Sequence, residues 1–173
     1  MTTKQRYSGF SLLEVMIALI IFSVGILGMA ALLMLSVRTN HTAYLRSQAG
    51  FLAQGIADRM RMNMPALWNN QYNLAYPVTG TAPGCTAAAP CTIAQVVTRD
   101  SIIWSRSLTQ LLPGPVAQIG CVLNPGATVP TAAEMVDRAP YNGLCTVTIT
   151  WSEASLNGDA TDNLQTFAWV FQP

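Results

Sequence analysis

Charge is scarce in this chain: nine basic and eight acidic residues are spread over 173 positions, and histidine occurs once, as His41. Beyond Val37 the balance is seven basic against seven acidic residues, with no basic cluster. A nucleic-acid surface needs several phosphate-facing cations on one face, so no nucleic-acid partner is expected. Glycine-rich phosphate loops, H-E-x-x-H and the nucleophile elbow are all missing. A Ser–His–acid site would have to recruit His41, on a stretch that reads as a long helix and is a poor place for a preorganised pocket. The acids Glu134, Asp137, Glu153, Asp159 and Asp162 fall in loops or at strand ends and read as solvated surface. An enzyme is therefore not expected; no residue is assigned a catalytic role and no cofactor is implied. The four cysteines contain no C-x-x-C pair and lie far from His41 in sequence, so no metal site is expected either.

Proline is missing too, from Phe10 through Met64, which permits one continuous helix over that stretch. What fills its first half is apolar. From Phe10 to Val37 the only ionisable side chain is Glu14. Roughly 20 consecutive apolar residues let a helix cross the hydrocarbon core of a bilayer, and this run exceeds that. Lys4 and Arg6 precede it with no acid, which is expected to hold the amino-terminal tail on the cytoplasmic side. A secretory signal carries its small-residue cleavage site after the apolar core; here Gly9 stands before it, so the helix is expected to stay on the mature chain.

Glu14 is the anomaly. A carboxylate deep in a membrane helix costs about 2.5–3.5 kcal/mol on insertion scales unless something neutralises it. A cut between Gly9 and Phe10 would create an α-amino group one helical turn away, able to pair with Glu14 in the same chain or in a neighbour.

Gly9-Phe10-Ser11-Leu12-Leu13-Glu14-Val15, after a short basic leader and before a long apolar helix, resembles the class III signal of type IV pilins and pseudopilins. The resemblance implies that a prepilin peptidase cuts after Gly9 and methylates Phe10, and it assigns Glu14 to assembly. Two further blocks, Ala43-Tyr44-Leu45-Arg46-Ser47-Gln48-Ala49 and Ile56-Ala57-Asp58-Arg59-Met60-Arg61, are similar to minor pilins of the PilV type, the type IV pilus modification proteins. Asp100, Trp104 and Leu112-Pro113-Gly114 resemble the same pattern less distinctively. The implied organisation is a leader at 1–9, a transmembrane and assembly half-helix at 10–37, and an extracytoplasmic head at 38–173. The implied partners are the prepilin peptidase, other minor pilins, major pilin subunits and, before assembly, the inner membrane. The expected location is the inner membrane, single-pass with a periplasmic head, and then the pilus at the cell surface.

The head can be read from its residues. Leu45, Ala49, Leu52, Ile56 and Met60 form an amphipathic stripe, with Arg46, Gln54, Asp58 and Arg61 largely elsewhere on the wheel. Pro65 is expected to end the helix at Met64. Residues 65–91 lack periodicity and read as a loop, with Trp68, Tyr72 and Tyr76 tacking it to the core. Thr92-Ile93-Ala94-Gln95 fits a capping box for a second helix, stopped at Pro113. Val116–Leu123, Leu144–Trp151 and Gln165–Phe171 read as antiparallel strands, with a turn at Asn157-Gly158. The fold class is α+β: a long amino-terminal helix packed on a small antiparallel sheet, in the pilin-like manner.

Cys85, Cys91, Cys121 and Cys145 all fall on the side placed outside the membrane, where an even count favours disulfides. Three connectivities are possible; Cys85–Cys91 with Cys121–Cys145 is preferred, because the first pair shares a loop and the second sits on strands. Two rivals share the signal and the stalk: a type II secretion pseudopilin, and a pilus-displayed binding module for adhesion or DNA uptake.

Overall fold

The computed structural model describes residues 9–136, 139–153 and 164–173. Asp137, the Asn157-Gly158 turn, Asp159, Asp162 and the leader up to Ser8 lie outside the described residues. Two compact units are distinguished: one ends at Thr42, the other runs from Ala43 to Pro173.

The first unit holds the apolar part of helix α1, which as a whole spans Leu12–Met62. Its large apolar side chains, from Leu12 to Val37, are exposed. The hydroxyls of Ser23 and Thr39 donate to the carbonyls of Ile20 and Leu35, so these polar groups find partners within their own helix.

In the second unit the remaining turns of α1 bury Leu45, Ala49, Leu52, Ala53, Ile56, Ala57 and Met60. They face a four-stranded antiparallel sheet of β1 (Ala75–Tyr76), β2 (Val116–Leu123), β3 (Gly143–Ser152) and β4 (Leu164–Phe171), arranged in chain order. Strand alternation sets the inner face: Ala117, Ile119 and Cys121 on β2, and Cys145, Val147, Ile149 and Trp151 on β3, all buried. Opposite them Thr146, Thr148 and Thr150 line the outer face, where the Thr150 and Thr166 hydroxyls lie 3.2 Å apart. Gly50 sits against Phe167 of β4, and the Arg61 guanidinium lies 5.4 Å from the Phe171 ring centroid.

Three elements differ from the sequence reading. Helix α1 stops at Met62 rather than Met64, and Pro65 opens a new short helix, α2 (Met64–Trp68), instead of closing the old one. Proline suits a helix's first turn, where its missing N–H would have had no intrahelical partner. The segment read as loop also contributes β1, which pairs Ala75 with Gln118 and Tyr76 with Ala117. Third, α4 (Ala132–Val136) interrupts the connection between β2 and β3. Its signal was present: Thr131 and Glu134 have capping-box spacing, and the Glu134 carboxylate accepts from the Thr131 backbone N–H and hydroxyl at 2.7 and 2.8 Å. Those bonds hold the Glu134 carboxyl below its ordinary pKa.

Helix α3 (Ile93–Leu111) begins with the full capping box: the Gln95 N–H donates to the Thr92 hydroxyl at 3.3 Å, and the Thr92 N–H to the Gln95 side chain at 2.9 Å. Trp68, Tyr72 and Tyr76 are buried, as tethers of a long connection should be.

Candidate functional site

The chain turns helical just past Gly9. Gly9, Phe10 and Ser11 precede α1, and the Ser11 carbonyl accepts the backbone N–H groups of Glu14 and Val15 at 3.1 and 3.3 Å. Glu14 therefore stands in the first helical turn, where unpaired backbone N–H groups and the helix dipole favour a negative charge. Among the described residues nothing lies within 4 Å of a Cβ built on Gly9, and Phe10 is 84% exposed. Phe10 and Glu14, four residues apart, border one shallow groove with Val15, Ala18, Leu19 and Phe22. This segment thus offers an accessible Gly–Phe bond and, one turn on, an acid surrounded by apolar side chains.

The cysteines form two disulfides, both in the second unit. Cys85–Cys91 closes a short loop before α3, with Cα atoms 5.2 Å apart. Cys121–Cys145 joins β2 to β3 at directly opposed positions on the inner face, with Cα atoms 4.0 Å apart. His41 is exposed on α1 beside Leu33, Met34, Val37 and Arg38. Among the described residues no three His, Cys, Asp or Glu side chains gather as a metal site requires.

The head also contains a polar cluster that sequence reasoning did not pick out. Arg59 of α1 donates from Nη1 to Asp100 Oδ1 of α3 at 2.9 Å, and the Tyr72 hydroxyl donates to Asp100 Oδ2 at 2.9 Å. Asn63 Nδ2 lies 3.4 Å from the Tyr72 hydroxyl. Burial is the largest cause and raises the Tyr72 pKa; the hydrogen bond from Asn63 opposes it, and the Asp100 charge and hydrogen bond add to the rise. Tyr76 is raised as well, chiefly by burial. The signal for this cluster was an acid on the apolar stripe of α3, since Asp100 follows Val97 and precedes Trp104 and Leu108 at helical spacing.

Comparisons with known proteins bear on both units. Residues 4–30 match the prokaryotic N-terminal methylation motif, and residues 31–102 match the family described as type IV pilin Tt1218. Neither the curated proteins nor the solved structures yield a match. The motif implies processing by a prepilin peptidase and assembly with other pilins. Helix α1, long and apolar enough to cross a membrane, supports membrane anchoring followed by pilus assembly. The methylation motif, the pilin segment and a long apolar helix running into a helix-on-sheet head together support membership of the type IV pilin superfamily.

Proposed function

We propose that the chain is a minor pilin of the PilV type, a structural rather than enzymatic subunit that primes or modifies type IV pilus assembly. Residues 1–9 are the leader, 10–37 the half-helix that spans the inner membrane and later packs in the fibre, and 38–173 the extracytoplasmic head. Prepilin peptidase cleaves after Gly9 and methylates Phe10. The mature amino group then pairs with Glu14, within the chain or across to a neighbouring subunit. That pairing removes the cost of a bare carboxylate among lipid tails.

The observation that carries this reading is the placement of Gly9 and Phe10 immediately before a helix whose first turn bears the one acid of an apolar run. The PilV assignment draws on the Ala43–Ala49 and Ile56–Arg61 blocks. In the structure these supply buried Leu45, Ala49, Ile56, Ala57 and Met60, together with Arg59, the partner of Asp100. A type II secretion pseudopilin would share the signal and the helix.

Sheared pili separate the two readings. The chain recovered in pilus fibres, with piliation reduced in a deletion strain, is the expected result. Normal piliation with a selective loss of protein secretion assigns the chain to the secretion machine instead.

A further inference from the structure

In the second unit the seam between α1 and α3 ends in a cationic pocket of about 620 Å³ beneath the Cys85–Cys91 loop. Arg59 and Arg99 line it, with Asp100 as its only acid among the described residues. Both oxygens of Asp100 are already engaged, one by Arg59 and the other by the Tyr72 hydroxyl. Arg99, the residue before it on α3, is exposed and has no ion-pair partner among the described residues. The pocket therefore carries one uncompensated positive charge with open guanidinium donors. Arginine presents those donors in a planar fork that fits a carboxylate.

The pocket continues into a second, largely apolar groove. Arg59 and Ile103 border both, and Phe51 and Leu111 flank the groove with 67% and 40% of their surface exposed. Gly55 opens the groove floor, with nothing within 4 Å of a Cβ built there.

We infer that this pocket receives an acidic side chain from a neighbouring pilin subunit, while the adjoining seam takes the apolar residues beside that acid. The inference rests on the pilin reading above. Charge selects the occupant: a single carboxylate matches the one spare positive charge, whereas a doubly charged phosphate would bring one negative charge more than Arg99 can neutralise. The apolar continuation along Phe51, Ile103 and Leu111 favours a protein segment over a free small acid. Such a segment gains affinity from apolar burial, and the charge pair fixes its register.

The test uses the full chain in piliated cells, with a photoreactive benzophenone amino acid in place of Ala87, which lines the pocket and is exposed. Irradiation is expected to cross-link the chain to another pilin through a peptide that contains Asp or Glu. Arg99→Glu is expected to cut both the cross-link and the amount of chain in sheared fibres about tenfold, because it sets like charges against each other. Arg99→Gln is expected to fall between, and Arg99→Lys to stay near wild type. Intact mass showing both disulfides formed establishes that the variants fold. A missing cross-link, a cross-linked peptide without an acid, or Arg99→Glu behaving as wild type overturns the inference and leaves the pilin reading standing. A wild-type chain absent from the fibres overturns both.

Discussion

Arg59 and Asp100 meet at 2.9 Å across the α1–α3 seam, with 40% of the arginine side chain exposed and 10% of the acid. Asp100 is the more deeply buried partner and also holds the Tyr72 hydroxyl. The pair fastens the helix that leads from the apolar segment to the helix that covers the head. Asp100→Ala removes the acceptor for both donors at once. Because Arg59 keeps partial access to water, the cost is expected at about 2 kcal/mol, below that of breaking a fully buried pair. Asp100→Asn, which retains an acceptor, is expected to cost less. Urea unfolding of the full chain in detergent, followed by tryptophan fluorescence, measures both.

The same cluster sets an alkaline limit. Burial raises the Tyr72 and Tyr76 pKa values in the folded chain above the ordinary value of 10.0. Above about pH 10 the unfolded chain therefore releases protons that the folded chain retains, and stability falls as pH rises. Each such tyrosine adds up to about 1.4 kcal/mol per pH unit to that slope. Below about pH 10 the contribution is complete and flat. Tyr72→Phe is expected to make the decline above pH 10 shallower; an unchanged slope in the variant would refute this assignment.

The two disulfides are expected to differ in their contribution. Cys121–Cys145 spans 24 residues and Cys85–Cys91 spans 6. Loop-closure entropy gives about 3.5 kcal/mol for the first and about 2.4 kcal/mol for the second. Replacing each pair by serine and comparing urea midpoints tests the order. Cys145 is also fully buried, so removing the β2–β3 link is expected to be the more damaging change in any case.

Gly143, at the start of β3, has no room for a side chain. A Cβ there would collide with the Val122 carbonyl, and would lie 2.7 Å from a Tyr141 ring carbon and 2.9 Å from the Leu123 Cα. Two of these are backbone atoms of the paired strand and cannot swing aside. Gly143→Ala is expected to cost about 2–3 kcal/mol, whereas Gly120→Ala, with nothing within 4 Å, is expected to be close to neutral. Thermal unfolding of the two variants beside wild type checks the contrast.

Periodicity made the regular elements legible. The stripe from Leu45 to Met60 and the alternation from Cys145 to Trp151 each match one buried face. The Thr92–Gln95 box located the start of α3 to the residue. Elements too short to repeat a pattern were missed: β1 is two residues long and α4 is five, while Pro65 is compatible with either ending a helix or beginning one. The Arg59–Asp100–Tyr72 cluster was hidden for another reason. Its members are 28 to 41 residues apart from Asp100, and only the folded seam joins them. By contrast, the Gly9–Glu14 signal is local, which is why it could be read without a fold.

The proposed role depends on a new amino terminus at Phe10 supplying the partner that Glu14 needs. Intact-mass measurement of the chain recovered from fibres tests this most directly, alongside Gly9→Glu and Glu14→Gln variants expressed with a prepilin peptidase. The expected mass lacks residues 1–9, carries one added methyl group, and shows the four hydrogens lost in two disulfides. Gly9→Glu should retain the leader and stay out of the fibre; Glu14→Gln should be processed yet fail to assemble. A fibre-incorporated chain that still carries its first nine residues would contradict the account.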